Sequence, residues 1–172
     1  DINLETPDIC LHLHLRENQA VLSLDGSGGS LHRRGFKSAV GIAPLKENLA
    51  AGLISLTNWD QKCPLVDPFC GSGTLLIEAV SIALGWAPGL NKEFLLPGWK
   101  DFNLHLWNDL QNIARNQQKM TRELPKIIGC EKDKKIYFQA KNNISNTGLD
   151  QFIDIKNCCF QDLDLPLGKG YI

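Results

Sequence analysis

Between Ile9 and Leu24 the residues ICLHLHLRENQAVLSL alternate apolar and polar, with a polar break at Arg16 to Gln19. A period of two marks half-exposed strands, so the stretch predicts a β-hairpin whose tight turn lies near Glu17-Asn18. The segment that follows, DGSGGSLHRRGF, carries four glycines between Asp25 and Phe36 and reads as a loop with a short strand. Leu45, Leu49, Leu53 and Leu56 then recur at helical spacing, with Pro44 in the first turn, and predict a helix over about 44–56. The pattern changes again at CPLVDPFCGSGTLLIEAV. A short apolar run at 65–68 reads as a strand buried on both faces, and Thr74 to about Leu84 as a helix that begins directly after a glycine turn.

Gly85 to Asn103 holds three glycines and two prolines and predicts a long irregular connection. Trp107, Leu110, Ile113 and Ala114 mark an amphipathic helix over about 104–121. KIIGCEKD gives a second buried strand, and KKIYFQAKNNISNTGL a helix opened by Asp133 as cap and stopped at Gly148. FIDIKNCCFQDLDL is a third strand leading into a loop. Strands alternating with helices in this order call for an α/β fold with a doubly wound parallel sheet, preceded by the hairpin. No repeat, low-complexity tract or interdomain linker interrupts the 172 residues.

Composition adds bounds. With 43% hydrophobic and 22% charged residues the chain has the balance of one globular core. A net charge of -1 supplies no overall field for a polyanion, so contact with nucleic acid must come from a local patch or from protein outside this chain. The six cysteines, at 10, 63, 70, 130, 158 and 159, show neither C-x-x-C pairs nor zinc-type spacing and read as reduced thiols of a cytosolic protein. No 18-residue apolar segment or export leader is expected.

Ligands of doubly wound sheets sit beyond the carboxyl ends of the strands. Each predicted strand is followed by an acid there: Asp67, Glu131 and Asp162. Gly71 and Gly73 let a ligand approach the backbone after the first strand. Glu131 is placed to accept hydrogen bonds from ribose hydroxyls, and Asp162 one from an exocyclic amine. A nicotinamide fingerprint fails, because Leu76 stands where the third glycine belongs and Glu131 lies far beyond the usual spacing of about 20 residues. No G-x-x-x-x-G-K-[ST] occurs either, and the turn has no lysine to neutralise a phosphate. A ribose and an adenine without phosphates fit better, as in S-adenosylmethionine.

DPFCGSGTLLIEA, with GIAPLKENLAA upstream and APGL downstream, closely resembles the methyltransferase domain of the THUMP-associated 23S rRNA guanine-N2 methyltransferases, whose members are often labelled N6-adenine-specific DNA methylases. The resemblance runs from Asp8 to about Pro166. It implies a Rossmann-like S-adenosylmethionine methyltransferase fold and a cofactor site built on the turn Asp67, Pro68, Phe69, Cys70, Gly71, Ser72, Gly73 and Thr74. In the family pattern Asp67, Gly71 and Gly73 line the methionine end, Glu131 holds the ribose, and Asp162 meets the adenine amino group. The helix that closes over the methionine moiety would contribute Pro44 and Asn48. The family's catalytic Asn-Pro-Pro-Tyr/Phe does not occur in the sequence, which reaches Ile172 through GKGYI where the fourth strand of the family pattern should begin. The motif is therefore expected beyond Ile172, and no catalytic residue is assigned within the chain. The expectation is a fold truncated after its third strand: residues 1–40 as hairpin and connection to an RNA-binding THUMP module, and 41–172 as the cofactor-binding half of the methyltransferase domain. The partner implied is ribosomal RNA, bound largely through regions outside this chain. DNA adenine-N6 methylation and a non-catalytic cofactor-binding module are the alternatives.

Other candidates compete with plainer roles. Arg33, Arg34 and Lys37 form the N-terminal basic cluster, either a solvated loop or an RNA-facing patch. His12 and His14 share a strand face and are read as a surface pair rather than a metal site, for want of a third ligand nearby. Trp86, Trp99 and Trp107 have apolar neighbours and are read as core packing rather than base stacking.

Overall fold

The computed structural model describes residues 7–37, 45–118 and 122–166. Strands β1 (Cys10–Arg16) and β2 (Gln19–Asp25) pair antiparallel around the two-residue turn Glu17-Asn18. The predicted alternation sorts their side chains cleanly. Leu11, Leu13, Leu15, Leu22 and Leu24 fall on one face, while Cys10, His12, His14, Ser23 and Asp25 fall on the other. The leucine face is exposed in the described structure.

Helix α1 (Glu47–Leu56) precedes β3 (Leu65–Asp67), and α2 (Thr74–Ala83) follows it at once. After the irregular connection come α3 (Leu104–Asn116), β4 (Ile127–Cys130), α4 (Lys134–Thr147) and β5 (Ile153–Lys156). The last three strands form a parallel sheet in sequence order, β3-β4-β5. Central β4 is buried along its whole length, whereas β5 buries Ile153 and Ile155 and turns Asp154 and Lys156 outward. Leu76, Ile77, Val80 and Ala83 of α2 pack with Ala140 and Ile144 of α4 and with Leu65, Ile127 and Ile153 of the sheet into one core. Gly129 makes that packing close. A Cβ there would stand 2.5 Å from a methyl of Leu76 and 3.0 Å from the sulfur of Cys70, so α2 and its preceding turn sit directly on the backbone of β4.

Helix ends follow local chemistry. Asp133 caps α4 by accepting from the N–H groups of Lys135 and Ile136, and Gly148 ends the helix in the left-handed conformation at φ 69°. Asn103 caps α3 through the N–H of Leu106.

The structure adds to or departs from the sequence reading at several points. The leucine stripe of α1 is not its inner face: Leu49, Leu53 and Leu56 are exposed, while Glu47, Ala50 and Ile54 are buried. The loop 26–37 contains no strand, and α3 ends at Asn116 rather than 121. Finally, two of the three cations of the basic cluster are spent inside the protein, while Arg33 stays exposed. Arg34 meets Glu78 at 3.2 Å, and Lys37 meets Glu47 at 3.2 Å while donating to the carbonyl of Leu45 at 2.7 Å. Both acids are buried, and a buried carboxylate needs such a partner. These pairs fasten the loop onto α1 and α2, and Asn146 of α4 holds it again through the carbonyl of Phe36. The loop's other end docks where the carbonyl of Gly26 accepts from the N–H groups of Leu95 and Leu96.

Among the tryptophans, Trp86 packs against the core, and Trp107 meets Phe94 and Phe102 edge to face. No helix among the described residues is long and apolar enough to cross a membrane.

Candidate functional site

The predicted turn leaves β3 at its carboxyl end. Asp67 opens it by accepting from the N–H of Phe69 at 3.1 Å, an Asx turn that starts the chain's reversal. Gly71 at φ 52° and Gly73 at φ 80° carry the chain through left-handed conformations into the first turn of α2. A Cβ on Gly71 would meet nothing within 4 Å, so its open side is a surface a ligand can approach. Gly73 instead faces Ala140 and Ile144, and its value is conformational. Thr74 is buried, and its hydroxyl lies 3.2 Å from that of Ser72. Pro68 is half-buried. The Phe69 ring is exposed and packs on Phe160 at 5.1 Å between centroids, which joins the turn after β3 to the segment after β5.

Glu131 follows β4 directly, and β3 and β4 are neighbours, so the two acids stand at adjoining strand ends. One oxygen of Glu131 accepts from the N–H of Asp133 at 2.8 Å. Among the described residues, the second oxygens of Glu131 and Asp67 accept no hydrogen bond. Burial pushes the Asp67 carboxyl above the ordinary carboxylate range, the Glu131 charge pushes it the same way, and the Phe69 N–H opposes both. Such a pair favours a ligand rich in donors. Ribose hydroxyls and an ammonium group fit it; a phosphate does not.

Cys70 is buried, which suits a packing thiol. Burial, with Asp67 and Glu131 adding to it, pushes its thiol far above the usual range. Cys130 is held up to about 11 by burial and by its contact with Cys158, whose sulfur lies 3.2 Å away. All six cysteines are free thiols.

The remaining expected residues are more dispersed. Asp162 does not stand at the end of β5 but six residues beyond it, exposed in a short 3-10 turn at Phe160–Asp162. The residue that follows β5 directly is Asn157. Its amide donates to the carbonyls of Glu131 at 2.8 Å and Lys132 at 3.1 Å, which fixes the turn carrying the ribose candidate. Asn48 is exposed in the first turn of α1, and Pro44 lies outside the described residues. Ile172, past which the catalytic motif is expected, lies outside them as well, so the start of a fourth strand in GKGYI falls where the structure makes no statement.

Sequence reasoning passes over Asn157 and Asn143. Asn143 is fully buried on α4 and donates to the carbonyl of Ser72 at 3.0 Å, so a helix 71 residues away holds the middle of the glycine turn. Its spacing of three from Ala140 puts it on the buried side of the largely polar α4, but nothing in the sequence names its partner. A separate cleft of about 610 Å³ opens between Arg33, Phe36, Ile77, Trp86, Lys92 and Asn146, and it includes none of the strand-end acids or turn glycines.

A parallel sheet with a left-handed glycine turn after β3 and acids at the ends of β3 and β4 defines a Rossmann-like domain, and the family comparison places it in the methyltransferase class. Residues 34–170 match the UPF0020 family model, described as the RMKL-like methyltransferase domain, and the chain belongs to that family. It is 42% identical to "Ribosomal RNA large subunit methyltransferase K/L" of Syntrophotalea carbinolica, over 98% of this chain and 24% of that protein. It is 38% identical to "Putative RNA methyltransferase slr0064" of Synechocystis sp., over 99% of this chain and 44% of that protein. The crystal structure of "SMU.472, a putative methyltransferase complexed with SAH" matches with a TM-score of 0.88 at 33% identity, covering 94% of this chain and 42% of that one. The chain thus spans less than half the length of these relatives.

Proposed function

We propose that this chain is the cofactor-binding part of an S-adenosylmethionine-dependent N-methyltransferase that modifies a base of ribosomal RNA, guanine N2 of 23S rRNA in the most specific form of the reading. The observation that carries the cofactor assignment is the pair Asp67 and Glu131, each with an open acceptor oxygen, at adjoining strand ends beside the left-handed Gly71 turn. In this reading Glu131 accepts from the ribose hydroxyls, and Asp67 and the Gly71 backbone border the methionine end. Asp162 takes the adenine amino group, and Pro44 and Asn48 belong to the segment that closes over the methionine moiety. The cofactor, when bound, supplies a sulfonium methyl group for in-line transfer to an exocyclic nitrogen. The residues named here bind and orient; they do not activate the acceptor. The substrate assignment draws on the names of the RNA methyltransferase relatives.

The 172 residues contain no Asn-Pro-Pro-Tyr/Phe sequence, the motif that would orient the target nitrogen. We assign residues 1–40 to the connection with an RNA-binding module, and we place the enzyme in the cytosol. Radiolabelled methyl incorporation checks the whole reading. The 172-residue chain is expected to bind cofactor and transfer nothing, while the longer protein methylates unmodified ribosomal RNA, because a methyl donor without a positioned acceptor lacks the proximity contribution. Incorporation into DNA but not RNA would move the substrate to adenine N6, and incorporation by the 172 residues alone would show that they form a complete acceptor site.

A further inference from the structure

The hairpin carries donors that the cofactor site does not use. Cys10 and His12 are two apart on β1 and so share a face, and Asp25 is the cross-strand partner of Cys10. Cys10 Sγ lies 3.9 Å from His12 Nε2, and His12 Nε2 lies 3.7 Å from Asp25 Oδ2. One ligand atom from each of the three falls within 4.8 Å of the others, the one such group of three among the described residues. We propose that Cys10, His12 and Asp25 form a zinc site that clasps the open end of the hairpin.

The distances suit that ion. Tetrahedral zinc with a thiolate at about 2.3 Å, an imidazole at about 2.0 Å and a carboxylate at about 2.1 Å separates sulfur from nitrogen by roughly 3.6 Å, and nitrogen from oxygen by roughly 3.4 Å. The Cys10–His12 and His12–Asp25 pairs need to close by only a few tenths of an ångström, and the Cys10–Asp25 pair, within 4.8 Å, by about 1 Å at most. The donor set, one soft sulfur, one imidazole and one carboxylate, is borderline and selects zinc over calcium or magnesium, which take oxygen ligands. Asp25 is already aimed. Its Oδ1 accepts from the N–H of Ser27 at 2.7 Å and from the Ser27 hydroxyl at 2.5 Å, which leaves Oδ2 turned toward His12. The fourth position faces solvent, since the His12 side chain is 67% exposed.

Place in the fold gives the site a purpose. A two-stranded ribbon is marginal alone, and this one has its leucine face exposed in the described structure. Cys10 and Asp25 are the terminal pair of the register, at the end away from the Glu17-Asn18 turn. An ion there would close the hairpin into a ring tied at both ends. His14, although on the same face, stands opposite Val21 and belongs to no such group.

The test titrates zinc chloride into metal-free, reduced protein by calorimetry, then cobalt(II) to look for the charge-transfer band of a thiolate ligand. The expected result is one zinc per chain with at least tenfold weaker binding in Cys10→Ser and in His12→Gln, and no change in His14→Gln or Cys158→Ser. Zinc should also slow hydrogen exchange at the β1 and β2 amides, a readout independent of methyl transfer. Circular dichroism confirms that each variant is folded, which the exposure of His12 and the partial exposure of Cys10 lead us to expect. Absence of zinc uptake, wild-type affinity in either Cys10→Ser or His12→Gln, or loss in Cys158→Ser would overturn the proposal.

Discussion

Glu131 and Asp67 stand side by side and divide their work. Replacing Glu131 with Ala should weaken binding of S-adenosylhomocysteine by about 1 to 3 kcal/mol, because hydroxyl donors lose a charged acceptor. Stability should change little, since the lost internal partner is the Asp133 N–H at an exposed turn. Calorimetry and a melting curve on the same variant separate the two effects. Asp67 behaves differently, because its folded carboxyl holds its proton to higher pH than an unfolded one. A group raised in this way contributes stability fully below its unfolded pKa and loses it as pH rises through the folded value. Asp67→Asn should therefore melt higher than the parent at neutral pH, with the gain shrinking as pH falls to the ordinary carboxylate range, while its affinity for S-adenosylhomocysteine drops. Melting curves from pH 4 to pH 8 check the sign. Both acids are legible in the sequence because each follows a short apolar run directly. The same rule points to Asp162, but the strand ends earlier than the apolar pattern suggests and leaves it in a 3-10 turn. Asn143 and Asn157 are not legible, since their partners lie 71 and about 25 residues away in sequence.

At the scale of elements, periodicity identifies the helices and strands but does not decide which side of a helix faces inward. In α1 the leucines repeat at helical spacing and face outward, while Glu47, paired with Lys37, lies with Ala50 and Ile54 on the buried side. Ile54→Ala should accordingly cost about 2 to 5 kcal/mol of unfolding free energy, whereas Leu56→Ala should stay within about 0.5 kcal/mol. Denaturant titration of the pair checks this, and equal losses would restore the leucine stripe as the packed face. The helix α3 follows the same logic, with Leu106, Leu110 and Ile113 exposed. Gly129 illustrates a strand position whose identity depends on its neighbours. Adding one methyl there, in Gly129→Ala, forces Leu76 and Cys70 to move within a filled core, and the melting temperature should fall, since overpacking costs about 1 to 3 kcal/mol.

Across the whole molecule, the order of strands and helices is readable because each β-α step is local, and the parallel sheet in sequence order follows from it. The fastening of the glycine-rich loop is not readable. It depends on Arg34 finding Glu78 across 44 residues and on Asn146 reaching Phe36 across 110. Together with the Lys37–Glu47 pair, those contacts turn two of the three cations of a cluster that sequence alone leaves open to RNA into internal supports and leave Arg33 as its exposed member. The central claim is that the ends of β3 and β4, with the glycine turn between them, hold an adenosine cofactor without phosphates. The most direct measurement is a calorimetric titration of the chain with S-adenosylhomocysteine and, in parallel, with NAD. The account predicts one S-adenosylhomocysteine per chain, bound more tightly than NAD and weakened in Glu131→Ala. Tighter binding of NAD, or S-adenosylhomocysteine binding that Glu131→Ala leaves intact, would contradict it.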